Sequence, residues 1–71
     1  MTTGSTEKAG NALRYWRRQR GMSQQKVASA LGINRLWIWA WETGRADPTR
    51  AQMERISEIL DKPITMLFNL E

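Results

Sequence analysis

Three glycines, at positions 21, 32 and 44, constrain this chain most, because they cut its centre into stretches with room for only two or three helical turns. A glycine just past a run of helical periodicity is the usual stop, since it alone enters the left-handed region without a Cβ penalty. Between these stops the apolar residues recur at three- and four-residue intervals, and strand-like alternation is absent throughout. The chain is therefore expected to be all-α, a set of short helices packed around one small core.

The pattern predicts five helices. The first covers about 11–20, where Leu13 and Trp16 share a face and Arg14, Arg18 and Arg20 lie elsewhere on the surface. Ser23 caps a second over about 24–31, with Val27, Ala28 and Leu31 inward. Only Gly32, Ile33 and Asn34 separate it from a third, capped by Asn34 and running over about 35–43. Asp47-Pro48 marks a turn. A fourth helix follows from about 49 or 50 to 60, with Met53, Ile56 and Leu60 as its stripe and Ile59 on the flank. Pro63 suits the first turn of a short fifth through about 68. Residues 1–10 hold nothing to bury and are expected to be a loose arm, leaving 11–71 as the domain.

Composition closes off several functions. A chain of 71 residues buries only about 60% of its unfolded surface. With no cysteine and no histidine, it has neither disulfides nor the common metal ligands, and it lacks the usual general base near neutral pH. Asp47, Glu54, Glu58 and Asp61 have no such group to work with, and no glycine-rich phosphate cradle occurs, so an enzyme is not expected. Neither a cofactor, a metal nor a small-molecule ligand is implied. No apolar run approaches the ~20 residues of a membrane span, and the first residues lack a secretory pattern, so an intracellular protein is expected.

Charge is distributed unevenly. Residues 1–35 carry Lys8, Arg14, Arg17, Arg18, Arg20, Lys26 and Arg35 against Glu7, a net of +6, while residues 36–71 carry a net of −2. A basic half can face a polyanion, although a solvated basic helix would look the same. The stretch 22–44, MSQQKVASALGINRLWIWAWETG, sets two short helices about a three-residue turn, with Val27, Ala28, Leu31, Ile33, Ile38 and Trp41 available for one shared core. The outer face of the third helix is then free to enter a major groove, though an ordinary helical hairpin would have the same spacing.

The wording of this stretch resembles the helix-turn-helix family of lambda repressor and Cro. The residues that carry the likeness are Ser23, Gln24, Val27, Ala28, Leu31, Gly32, Ile33, Asn34, Ile38, Trp41, Glu42 and Gly44, and it extends over about 12–68. The resemblance implies double-stranded DNA as partner. It further implies a cytoplasmic, nucleoid-associated regulator of bacterial or phage origin, dimeric on a two-fold operator and repressing by occupancy alone. Ser23, Gln24 and Gln25 match the head of the second helix, where Gln24 corresponds to a phosphate-contacting glutamine. Asn34 and Arg35 open the recognition helix, and Leu36, Trp37, Trp39, Ala40 and Thr43 fall on or beside its groove face. Gly44 and Arg45 match a phosphate-contacting loop, and Arg17 and Glu42 an internal ion pair. Leu67, Phe68 and Leu70 are candidate dimer contacts that could equally close the core.

The recognition helix departs from its family, which usually carries polar residues where this chain has Leu36, Trp37, Trp39 and Ala40. At about 100° per residue, Trp37 falls at the core's edge and is expected to be half packed. Trp39 lies on the far side with Leu36, Ala40 and Thr43, and is expected to be substantially exposed. Such a face could meet thymine methyls, grip another protein such as a regulator or a toxin, or thicken the core of a rotated helix.

Overall fold

The computed structural model describes residues 11–68, so the expected arm at 1–10 and Leu70 lie outside the described residues. Five helices follow one another: α1 (Asn11–Gln19), α2 (Gln24–Leu31), α3 (Arg35–Glu42), α4 (Arg50–Leu60) and α5 (Ile64–Leu67). Among the described residues there is no strand, and no helix is long and apolar enough to cross a membrane.

Local chemistry sets the boundaries. The Ser23 hydroxyl accepts from the Lys26 amide at the head of α2, and Asn34 Oδ1 accepts from the Leu36 amide at 2.8 Å at the head of α3. Gly32 ends α2 in the left-handed conformation, at φ 75°, which lets three residues turn the chain from α2 into α3. A reciprocal capping box opens α4: Thr49 Oγ1 accepts from the Gln52 amide while Gln52 Oε1 accepts from the Thr49 amide. Asp61 closes α4 at φ 57°, the one non-glycine residue described in that region.

The core contains Leu13, Val27, Ala28, Ile38, Trp41, Ile56, Leu60, Leu67 and Phe68, so each helix contributes at least one wholly or nearly buried side chain. Trp16, Met22, Leu31, Ile33, Met53, Ile59 and Ile64 pack around it half-buried. α2 packs on α3 and α4, α1 braces α3 and α5, and α5 lies on α4. Leu67 is fully buried and Phe68 6% exposed. They belong to the interior of this copy, which takes the second of the two alternatives open for them, closing the core. The four residues of α5 lie against both α1 and α4.

Candidate nucleic-acid interface

α3 has a core side and an open side. Ile38, Trp41 and Glu42 point inward, while Leu36 is 58% exposed, Trp37 52% and Trp39 39%. Asn34, Leu36, Trp37 and Ala40 line a shallow, mostly apolar depression of about 340 Å³ on the open side. The reading in which these residues thicken the core is thereby excluded for Leu36 and Trp37. The order of the two tryptophans reverses the expectation, since Trp39 is the more covered. One cover on that ring is Arg45, whose guanidinium carbon lies 4.7 Å from the centre of the Trp39 ring. A cation stacked on an indole face shields it from water. Helical angles alone omit this neighbour because it comes from the following loop.

Behind that face sits a buried carboxylate. Glu42 has no solvent exposure, and Arg17 retains only 6%. Arg17 donates from Nε to Glu42 Oε2 at 2.6 Å and from Nη2 to Oε1 at 3.0 Å, the two-pronged geometry that makes such pairs strong. Arg17 Nη1 also donates to the Met22 carbonyl at 2.8 Å, holding the link between α1 and α2. Oε1 receives two further donors, Gln24 Nε2 at 3.1 Å and Arg14 Nε at 3.4 Å. No buried side-chain nitrogen or oxygen is left unpartnered among the described residues. Arg14 is thus not the free surface arginine expected. Its place three residues before Arg17 on one helix face, beside a carboxylate reached by that arginine, was the signal for it.

The geometry assigns different work to the other candidates. The Ser23 hydroxyl is used as a cap. Gln25 Nε2 donates to Ser29 Oγ at 2.9 Å on the surface of α2. Asn34 spends its carbonyl oxygen on the cap, which leaves the amide nitrogen as a donor beside the depression. Thr43 turns its hydroxyl back onto the Trp39 and Ala40 carbonyls at 2.8 and 3.3 Å. After α3, the amides of Gly44, Arg45 and Ala46 donate to the carbonyls of Trp41 and Ala40. The turn therefore offers the Arg45 side chain, not a row of free backbone N–H groups. Arg35 is exposed at the head of α3 and forms no ion pair among the described residues.

Ion pairing sharpens the charge asymmetry. Glu54 pairs with Arg50, Glu58 with Arg55 and Asp61 with Arg20, all at or near α4. Arg18, Lys62, Lys26, Arg35 and Arg45 have no acidic partner among the described residues. The last three lie on the two helices and the turn around the open face of α3. Three of these five cations thus flank the open face of α3, a placement that attracts a polyanion to that side.

The family model described as "Helix-turn-helix domain" matches residues 10–71 of this chain. The chain belongs to that helix-turn-helix family. Among curated relatives, an uncharacterized HTH-type transcriptional regulator of Sinorhizobium medicae is 34% identical over 59 residues, covering 83% of this chain and 42% of the relative. The SPbeta prophage-derived uncharacterized HTH-type transcriptional regulator YonR of Bacillus subtilis is 37% identical over 51 residues, covering 72% and 47%. The chain thus spans less than half the length of these relatives. A solved structure, the restriction-modification controller protein C.AhdI of Aeromonas hydrophila, superposes with a TM-score of 0.79. It is 26% identical, and the match covers 92% of this chain and 98% of that one. The helix-turn-helix fold and the lambda repressor and Cro resemblance read from 22–44 agree with these matches.

Proposed function

We propose that this helix-turn-helix protein is a sequence-specific double-stranded DNA-binding transcriptional regulator, with α3 lying in the major groove. The observation that carries this reading is the open face of α3, where Asn34, Leu36, Trp37 and Ala40 line an apolar depression that the protein's own core leaves uncovered and Arg35 is exposed at the head of the helix. Arg35 can read guanine through two hydrogen bonds, and Leu36, Trp37 and Ala40 can meet thymine methyls. Arg45 reaches the backbone from the edge of α3, with the Trp39 ring as its platform. Names of the relatives support regulation of transcription as the role.

The finer reading is a homodimer on a two-fold operator, repressing by occupancy in the cytoplasm, without catalysis. One module of this size supplies limited contact area, and pairing two half-sites raises both affinity and specificity. Because Leu67 and Phe68 are interior, the contacts between copies fall elsewhere and are strengthened on DNA.

The exposed Leu36, Trp37 and Trp39 also favour a second reading, a module that grips another protein by this face. Selection of bound sequences from random duplex DNA distinguishes the two. Enrichment of a two-fold symmetric site, with affinity falling steeply as salt rises, supports the regulator. Failure to retain any duplex at low ionic strength overturns it and leaves the protein-binding module.

A further inference from the structure

We propose that the depression on α3 is a site for the 5-methyl group of a pyrimidine. The middle of the helix then tells thymine and 5-methylcytosine from uracil and cytosine by the methyl and not by hydrogen bonds. The inference rests on the DNA-binding reading and names the chemical class that this face selects.

The hydrogen-bonding inventory of α3 carries it first. Base edges in a major groove are read by paired hydrogen bonds, as from Arg, Asn or Gln, or by apolar contact with a methyl. Between Arg35 and Thr43 the side chains with a polar group are three tryptophans and Glu42. Each indole is a single donor, so none makes a paired contact. Trp41 is 3% exposed, and Glu42 is wholly buried with its oxygens held by Arg17, Arg14 and Gln24. Leu36 and Ala40 have no hydrogen-bonding group. At the edges, Asn34 Oδ1 is engaged with the Leu36 amide, and the Thr43 hydroxyl is turned back onto its own helix. Paired readout is thus confined to the ends of α3, and its middle has only apolar surface to offer.

Shape and charge then choose the occupant. Leu36, Trp37 and Ala40 form the apolar wall of a depression of about 340 Å³, with room for a methyl carried on the edge of a ring. Lys26, Arg35 and Arg45, without acidic partners among the described residues, surround that face and favour a polyanion over an uncharged apolar partner. In an unmodified major groove the apolar group on display is the thymine methyl. Methylation of cytosine at C5 puts the same group in the same place. An exocyclic amine pressed against this wall would instead lose its water without gaining an acceptor. Burying one methyl carbon corresponds to about a fourfold gain in affinity.

The test uses the full chain and the fluorescein-labelled duplex recovered by selection, with binding followed by anisotropy at fixed potassium chloride. Each thymine is replaced in turn by deoxyuridine, which removes the methyl and nothing else. At one or more positions uracil is expected to raise Kd about fourfold. A cytosine–guanine pair at that position should bind more weakly than thymine–adenine, and 5-methylcytosine should recover the same factor. Leu36 and Trp37 are more than half exposed, so Leu36→Ala and Trp37→Ala are compatible with the fold. In one or both, the ratio of uracil to thymine Kd should fall toward one, whereas Arg35→Ala should weaken both duplexes alike. A wild-type chain that binds every uracil duplex as tightly as its thymine parent overturns the methyl site and leaves the regulator reading standing. So does a selected site that requires no thymine, or a ratio that survives in both variants. A wild-type chain that retains no duplex at low salt overturns the DNA reading and the methyl site together.

Discussion

Replacing Glu42 by glutamine keeps the shape of the side chain but removes its charge and turns one acceptor oxygen into an NH2 donor, in a place where four N–H groups from three side chains converge on it. Arg17 is then left with its guanidinium almost wholly buried and only neutral acceptors, the Met22 carbonyl and the one oxygen of the new amide. Breaking a buried pair from one side typically costs about 3–5 kcal/mol, because the remaining charge is stranded. Arg14 adds little, since its side chain is 40% exposed and can turn to water. Total stability for a chain of this length is about 4–10 kcal/mol. Glu42→Gln is therefore expected to remove a third or more of it. In thermal unfolding followed by circular dichroism, the midpoint should fall by about 15–30 °C. The double variant Arg17→Met with Glu42→Leu strands no buried charge and should recover most of the loss. A cost below about 1 kcal/mol for Glu42→Gln would mean that the pair behaves as an exposed one. A double variant no more stable than the single would equally refute the stranded-charge argument.

Three further outcomes follow from the same structure. Gly32→Ala places a Cβ where nothing lies within 4 Å, at φ +75°, so its effect is purely backbone strain of about 1–2 kcal/mol, measurable by urea unfolding; an unchanged midpoint would refute the strained turn. Trp39→Ala removes a part-covered ring and the platform under Arg45, so stability should change by only about 1 kcal/mol while duplex affinity falls. A melting temperature lowered by more than about 10 °C would instead make the ring part of the core. Arg35→Ala should relax preference at one base position of each half-site in sequence selection, and an unaltered selected site would clear Arg35 of base reading.

Much of the architecture is legible in one dimension because it depends on short-range chemistry. Ser23 and Asn34 cap, Gly32 turns, and Val27, Ala28, Ile38 and Trp41 fall at helical intervals, so α2, the turn and α3 can be drawn from residues 22–44 alone. Thr49 and Gln52 had the spacing of a capping box too, and it would have placed the start of α4 more firmly. The open face of α3 also follows from angular bookkeeping, since Ile38 and Trp41 must look inward.

What the sequence could not supply was decided between elements. Whether Leu67 and Phe68 meet a second copy or their own core depends on how α5 returns across α1 and α4, over more than thirty intervening residues in the case of α1. Trp39, which is more covered than Trp37, has a loop arginine stacked on its ring. Arg14 looked free because its partner lies twenty-eight residues away on another helix. Periodicity determines which way a side chain leaves its own helix. The neighbour it finds there is set by packing, through long-range contacts that no local pattern encodes.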